Sequence, residues 1–169
     1  MRIATWNIER LKHISRQKEI EQICSDVGAD ILVLTEADNR VRIGSLSYYE
    51  SEALPDRCEV APGKISEYKS TERRVVIYSR HKLVNWEIWL YVEIIIAVFQ
   101  TVIILQSMEE TLQNAFDECG MTIVTADCKE CIDHIAVVNE LISNVKNIDF
   151  YEWNQTKHLS DHKGVMVTI

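Results

Sequence analysis

Two Asp-His pairs and one glutamate are the side chains with the clearest catalytic potential in this sequence. Asp161 and His162 stand just before an alternating, β-branched run at the C-terminus, and Asp133 and His134 lie within another strand-like run. Glu36 closes a third apolar run. Reactive groups are commonly presented at strand ends and loops that a rigid scaffold holds in place. Carboxylates and imidazoles from such distant segments therefore predict one assembled polar site.

The opening of the chain predicts the first elements that must position these residues. Arg2 to Ile8 alternates as a strand, and Leu11 to Val27 has the apolar spacing of a helix, with Gly28 as its C′ residue. Asp30 to Thr35 is a short apolar run, typical of a strand buried on both faces. A strand–helix–strand opening of this kind predicts an α/β sandwich.

The rest of the chain predicts four more strands and one more helix. A loop-rich stretch from Asn39 to Lys69 precedes them. A capping box beginning at Ser107 starts a helix with Phe116 and Cys119 on its buried face, and Gly120 stops it. The predicted strands are Arg73–Ser79, Met121–Thr125, Cys131–Val138 and Lys163–Ile169.

Length and charge favour a single soluble-type domain, residues 1–169, that is not a general nucleic-acid binder. The formal net charge is -8, whereas counterion release on nucleic acid needs clustered Lys and Arg. One local exception is Glu67 to Lys82, which carries a net +3. An acidic enzyme acting on phosphate esters would therefore rely on a divalent cation to approach its anionic substrate.

The five cysteines predict a reducing, cytoplasmic setting. Met1-Arg2-Ile3 runs directly into a strand, which leaves no room for a secretory signal, and an odd cysteine count argues against a disulfide framework. Cys128 and Cys131 have zinc-knuckle spacing and are followed by His134. Only one such pair exists, however, and Cys131 and His134 would fall on opposite faces of a strand, so packed thiols are the expectation and His134 is interpreted as structural.

Ile88 to Leu105 is an unusually apolar run of eighteen residues, long enough to admit a transmembrane helix. Glu93 lies about a third of the way in and would cost roughly 2 to 3 kcal/mol on insertion scales. The run is also rich in β-branched and aromatic residues, which favour buried strands. No stable membrane insertion is therefore expected.

Four motifs, taken in order, resemble the endonuclease/exonuclease/phosphatase family, whose fold is the deoxyribonuclease-I-like fold. They are Thr5-Trp6-Asn7-Ile8, the run from Asp30 to Glu36, Ile132-Asp133-His134-Ile135 and Ser160-Asp161-His162. The resemblance implies a four-layer α/β sandwich, with two packed mixed β-sheets flanked by helices. It also implies hydrolysis of a phosphate ester, possibly in nucleic acid, with Mg²⁺ or Mn²⁺ as cofactor.

The resemblance implies a role for each matching residue. Glu36 matches the family's metal-ligating glutamate, and Asp161 the aspartate beside the metal. Asn7 matches the asparagine that supports metal and phosphate. His162 matches the histidine that contacts the scissile phosphate, and Asp133 the aspartate that orients it. The residues alone leave three other interpretations open: a turn residue for Asn7, a surface acid for Glu36 and a structural partner for Asp133.

The middle of the chain departs from the family pattern. Members carry a catalytic histidine or tyrosine there, and a G-D-x-N motif. This sequence has no histidine between Lys82 and Asp133, no glycine between Lys82 and Cys119, and no D-x-N at all. Glu93 to Gln100 resembles the strand that should enter the lost motif, which predicts a missing central block joined near Trp86 to Phe99.

The missing block lowers the activity that the resemblance implies. Loss of a general base costs roughly 10² to 10⁴ in rate, so turnover is expected to be slow while cation and phosphate binding survive better. The alternative is a catalytically inactive relative that acts as a binding protein. Lost strands would also leave an exposed sheet edge that favours a homodimer.

Overall fold

The computed structural model describes residues 1–83, 114, 116–128, 133–150 and 159–169. In this part of the chain lie one α-helix, α1 (Gln17–Asp26), and helical residues 116–118. The strands are β1 (Arg2–Asn7), β2 (Ile31–Asp38), β3 (Ser47–Glu50), β4 (Arg57–Ala61), β5 (Lys64–Glu67), β6 (Glu72–Ser79), β7 (Met121–Ile123), β8 (Ala136–Val138), β9 (Asn147–Phe150) and β10 (Val165–Thr168).

A six-stranded mixed sheet forms the centre, in the order β3-β6-β2-β1-β10-β9. β1 and β2 are parallel neighbours joined through α1, which confirms the predicted strand–helix–strand opening. All the other neighbouring pairs of this sheet are antiparallel. Hairpin β4–β5 and the pair β7–β8 form two further sheets of two strands each within the described residues.

The predicted helix from Leu11 to Val27 begins later than expected. Glu9, Arg10 and Leu11 have φ values of 47°, 52° and 54°, a left-handed conformation that a right-handed helix cannot contain. Two short 3-10 turns therefore precede α1, which begins only at Gln17. The predicted C′ residue, Gly28, is confirmed, since it follows the helix with φ +61°.

One face of the central sheet packs against α1. Ile20 and Cys24 of the helix share a buried cluster with Trp6, Leu34 and Tyr78 of the sheet. The cluster includes residues of three neighbouring strands and continues into the loop after β2. This face is the larger part of the core and holds the ends of β1 and β2 in place.

The opposite face of the central sheet packs against the β7–β8 pair. Val33, Ile77 and Val167 share a second buried cluster with Ile135 and Val137. On the outer side of β7–β8, helical Phe116 packs with Met121 and Ala136 in a third cluster. The resulting order of helix, sheet, sheet and helix is the predicted four-layer α/β sandwich.

Several predicted boundaries were wrong. β8 begins at Ala136, so Asp133 and His134 precede the strand rather than lie inside it. The loop-rich stretch from Asn39 to Lys69 contains β3 and the β4–β5 hairpin. Cys119 is exposed, not part of the buried helix face.

The predictions for the apolar run Ile88–Leu105, the capping box at Ser107 and the join near Trp86 to Phe99 lie outside the described residues. Within the part of the chain that is described, no helix combines the length and apolar character needed to cross a membrane.

The packing of β8 on the central sheet can be tested with two neighbouring valines. Val137 is 5% exposed and faces the second cluster, whereas Val138 is 39% exposed. Val137→Ala should lower the free energy of unfolding by about 2 kcal/mol, because it removes buried methyl groups and leaves a cavity. Val138→Ala should change it by less than about 0.5 kcal/mol in the same urea titration. Equal effects of the two substitutions would contradict the packing.

Candidate active site

The sheet topology brings most of the candidate site residues to one end of the central sheet, where β1 and β2 leave it. Asn7 ends β1 and pairs in register with Thr35 of the parallel β2, so Glu36 follows at the same edge. β10 runs antiparallel to β1, with Val165 opposite Thr5. The loop that precedes β10 therefore enters the sheet where β1 leaves it, and this loop carries Asp161 and His162.

Two hydrogen bonds join this loop to β1, and a third holds the loop internally. The Ser160 hydroxyl donates to the carbonyl of Asn7 at 2.6 Å. The backbone N–H of His162 donates to the Ser160 hydroxyl oxygen at 3.1 Å, and the Trp6 indole N–H donates to the carbonyl of His162 at 3.2 Å. The backbone around His162 is therefore fixed by contacts with the buried end of β1, although His162 itself lies in a loop.

Asp133 and His162 are in contact across the two sheets. His162 Nδ1 lies 2.9 Å from Asp133 Oδ2, and because an ionised carboxylate only accepts, Nδ1 is the donor. Asp133 is fully buried and the His162 side chain is 10% exposed. Asp133 and His162 therefore lie within hydrogen-bond distance, and this contact fixes the plane of the imidazole.

The surroundings of His162 favour its charged form. Burial on its own lowers the pKa of the imidazole, but the hydrogen bond and charge of Asp133 outweigh it. The charges of Asp161 and Glu36 act in the same direction as Asp133. The pKa of His162 is consequently raised above its ordinary value of 6.5.

Asp161 lies beside the outer edge of the ring and faces solvent. Its side chain is 73% exposed, with Oδ1 3.5 Å from His162 Nε2. Its backbone N–H donates to Glu9 Oε2 at 3.1 Å, and Glu9 also pairs with Lys12 at 2.9 Å. Glu9 thus positions the Asp161 backbone, a role that no sequence pattern indicated.

Asn7 is fully buried and only partly satisfied. Its side-chain oxygen accepts the backbone N–H of Glu9 at 2.9 Å. Its Nδ2 has no hydrogen-bond partner among the described residues. A buried donor without a partner costs about 1 to 3 kcal/mol, and an anionic oxygen from a ligand would satisfy it.

Glu36 is held in an unusual conformation and paired with an arginine. Its φ of 39° is left-handed within a strand, and Oε2 lies 3.0 Å from Arg10 Nη1. The Nε of Arg10 is also 4.0 Å from the buried carboxylate of Glu72. Sequence reasoning identified Glu36 but missed Arg10, since nothing in the sequence marks the left-handed turn that carries it.

The donor set fits a magnesium-type ion better than a zinc ion. Within the described ranges, no three His, Cys, Asp or Glu side chains group as ligands for a metal. Mg²⁺ needs only one or two protein carboxylates and keeps several waters, which Glu36 and Asp161 suit. In the other candidate metal site, His134 Nδ1 lies 3.2 Å from Thr125 Oγ1, and Cys131 lies outside the described residues.

A groove of about 640 Å³ opens next to Glu36. Strands β2 and β6 and the β4–β5 hairpin form its sides. Its lining includes the cationic residues Arg10, Lys64, Arg73 and Arg74 and the aromatic ring of Tyr68. Arg73 pairs with Glu50 at 3.1 Å and Arg10 with Glu36 at 3.0 Å, so Lys64 and Arg74 are the lining cations that no acid pairs among the described residues.

Two solved structures share the architecture over almost the whole chain. The endonuclease domain of TRAS1, a telomere-specific non-LTR retrotransposon, has a TM-score of 0.58 and 14% identity, covering 99% of this chain and 97% of that one. The 3' phosphatase NExo from Neisseria, bound to product DNA hairpin, has a TM-score of 0.52 and 15% identity, covering 100% and 99%. No family model and no curated protein matches the sequence. The chain therefore has the deoxyribonuclease-I-like fold.

The Asp133–His162 contact predicts how His162 titrates. In the wild type, the C–H resonances of its imidazole should titrate above pH 6.5, and Asp133→Asn should move the midpoint down, because the neutral amide no longer stabilises the imidazolium. His162→Gln identifies the resonances. An unchanged midpoint in Asp133→Asn would contradict the assignment.

The same contact predicts the sign of a stability change with pH. The folded pKa of His162 lies above its unfolded value, so protonation of the ring stabilises the fold. This contribution is fully present below the unfolded value and is lost as the pH rises through the raised folded value. Urea unfolding of the wild type should show the loss across this window, and Asp133→Asn should show less of it.

Proposed function

We propose that this protein hydrolyses phosphate esters in nucleic acid, assisted by Mg²⁺ or Mn²⁺. The observation that carries the proposal is the 2.9 Å contact between Asp133 and His162, assembled at the edge of the sheet where Asn7, Glu36 and Asp161 also lie. These residues come from four distant segments. A buried carboxylate that orients a partly exposed imidazole is an arrangement suited to catalysis.

His162 is the residue that would act on the substrate. With Nδ1–H donated to Asp133, the ring cannot rotate freely, and its Nε2 edge faces the side where Asp161 lies. The hydrogen bond and charge of Asp133 raise the pKa of the ring, which favours its cationic form. A cationic ring can donate a hydrogen bond to a phosphoryl oxygen and stabilise the charge that develops there.

Glu36 and Asp161 are the carboxylates that would hold a divalent cation. When bound, such a cation neutralises phosphoryl oxygens and lowers the pKa of a water. Asn7 would donate its Nδ2–H to an oxygen of the phosphate, which satisfies a donor that has no partner among the described residues. Asp133 orients His162 and does not itself touch the substrate.

The groove favours a polynucleotide over a small phosphomonoester. It extends from Glu36 along the β4–β5 hairpin, and Lys64 and Arg74 line it away from His162. A phosphate chain can place its neighbouring charges against such residues, whereas a small ester reaches only the site itself. The names of the two similar structures, an endonuclease and a DNA-bound 3' phosphatase, agree with this choice.

A non-catalytic binding protein is the second candidate, and one contact favours it. Glu36, the proposed metal ligand, is paired with Arg10 at 3.0 Å. The sequence also lacks the D-x-N motif that supplies the base in the resembling family. A protein of this kind would bind cation and nucleic acid without turnover. Both candidates share the site and differ only in the chemical step.

The cellular setting and assembly belong to the same proposal. The odd number of cysteines in the sequence is the basis for proposing a reducing, cytoplasmic setting. Among the described residues, β3 and β9 each pair on one side only in the central sheet. Such an edge can pair with a second copy of the chain, so a homodimer is proposed there.

His162→Ala tests the catalytic assignment. In single-turnover assays with excess protein on a DNA duplex, it should lower the Mg²⁺-dependent rate of cleavage by roughly 10² to 10⁴, because the oriented imidazole is lost. His81→Ala, which removes an exposed histidine outside the site, should keep the wild-type rate. A cleavage rate in His162→Ala equal to that of the wild type would contradict the assignment. Binding of the duplex with no detectable cleavage by the wild type would favour the binding protein.

The groove has a separate test that does not depend on turnover. Lys64→Ala and Arg74→Ala should each weaken binding of a DNA oligonucleotide and reduce the slope of log K against log salt by about 1, since each removes one phosphate contact. Lys146→Ala, an exposed cation at the start of β9, should leave both quantities unchanged. Equal effects of all three substitutions would show that only net charge matters.

A further inference from the structure

Three consecutive left-handed residues direct Arg10 to its position. Glu9, Arg10 and Leu11 have φ values of 47°, 52° and 54°, and none of them is glycine. A left-handed conformation costs an L-residue roughly 1 to 2 kcal/mol, and it usually occurs at single positions. Such strain persists only where the surroundings fix it, and it concentrates at functional sites.

The neighbours of this turn fix it from several directions. The side chain of Leu11 is fully buried under the core, and its N–H donates to the carbonyl of Ile8 at 2.9 Å. Ile8 is itself tied to β2, since its N–H donates to the carbonyl of Thr35 at 3.2 Å. The Glu9 N–H is bound by Asn7 at 2.9 Å. Arg10, the middle residue, is left to project from the turn.

Arg10 meets two carboxylates that differ in burial. Its Nη1 lies 3.0 Å from Glu36 Oε2, whose own backbone has φ 39°, so both members of the pair stand on left-handed residues. Its Nε lies 4.0 Å from Glu72 Oε2, a buried oxygen with no hydrogen-bond partner among the described residues. Lys69 approaches the other oxygen of Glu72 at 3.9 Å, so the closest contact that Arg10 makes with either acid is the one with Glu36.

We propose that Arg10 is a built-in cation that occupies the Glu36 carboxylate and competes with a divalent metal ion for it. A metal ion that binds Glu36 must displace the guanidinium. Arg10 thus sets the metal affinity of the site and keeps it low when substrate is absent. The inference rests on the proposed function in one respect, that a divalent cation binds at Glu36.

The groove offers the displaced guanidinium a second position. Arg10 lines the groove, and its guanidinium carbon already lies 5.7 Å from the centre of the Tyr68 ring. A guanidinium at that distance from an aromatic face is attracted to it. Movement from Glu36 toward Tyr68 would place the positive charge among Lys64 and Arg74, where phosphates of a bound strand would lie. Metal binding and nucleic-acid binding would then reinforce each other.

Calorimetric titration with MgCl₂ tests the competition without any assay of turnover. Arg10→Met should bind Mg²⁺ about 2- to 5-fold more tightly than the wild type, because a partly exposed ion pair no longer has to be broken. Arg10→Lys, which keeps the charge, should stay closer to the wild type. Glu36→Gln should lose the binding, both alone and combined with Arg10→Met.

Lys12→Met is the matched control, since it removes the same charge from the same turn but contacts Glu9 rather than Glu36. It should tighten Mg²⁺ binding by less than about twofold, the effect of one exposed charge in solvent. Unchanged or weaker binding in Arg10→Met would overturn the inference and assign Arg10 a structural role. Equal tightening in Lys12→Met and Arg10→Met, or no heat of binding in any variant, would overturn it as well.

A measurement on the wild-type chain tests the displacement even if Arg10→Met does not fold. The Nε–H resonance of Arg10, assigned with Arg10→Lys, should shift when Mg²⁺ is added to the wild type and should not shift in Glu36→Gln. If the resonance does not shift with Mg²⁺ while calorimetry detects binding, displacement of the Arg10 guanidinium from Glu36 is excluded. None of these outcomes depends on hydrolysis, so the competition and the proposed activity can fail separately.

Discussion

The pairing of β10 with β1 is the constraint on which the site depends. Thr168 lies opposite Arg2 and Val165 opposite Thr5, and the amino group of Met1 donates to the carbonyl of Ile169 at 2.6 Å. Since strands alternate their side chains, a shift of one residue would turn every buried residue of β10 outward. The register therefore decides that Ser160 meets Asn7, and through that contact it decides where His162 lies.

The second constraint is the cost in folding stability of joining the two sheets through a charged pair, Asp133 and His162. Asp133 is fully buried, and desolvation of such a carboxylate can exceed the gain from its partner. An apolar pair of similar size would hold the sheets together at least as well. The pair is therefore better explained by its geometry than by its contribution to folding, because it fixes the imidazole while leaving its second nitrogen near the surface.

The sequence predicts the parts of this structure that repeat a period and misses those that depend on single conformations. The spacing of α1 repeats the helical period and β2 is one continuous apolar run, so both could be found. The β4–β5 hairpin also had a signal, the Pro62-Gly63 turn with Gly63 at φ +74°, which a reading of the stretch as loop passed over. Arg10 had none, since three left-handed non-glycine residues follow no pattern and are fixed only by tertiary contacts.

The distribution of charge shows why these missed residues matter to the site. The chain as a whole is acidic, with a net charge of -8, so its average field repels nucleic acid. Arg10, Lys64 and Arg74 nevertheless gather around one groove, and Glu36 and Glu72 lie where Arg10 reaches them. Attraction of a phosphate chain is thus local. At physiological salt the Debye length is about 8 Å, and exposed charges farther apart than this hardly interact. An anionic substrate would be held only where the groove brings it within that distance, beside Glu36.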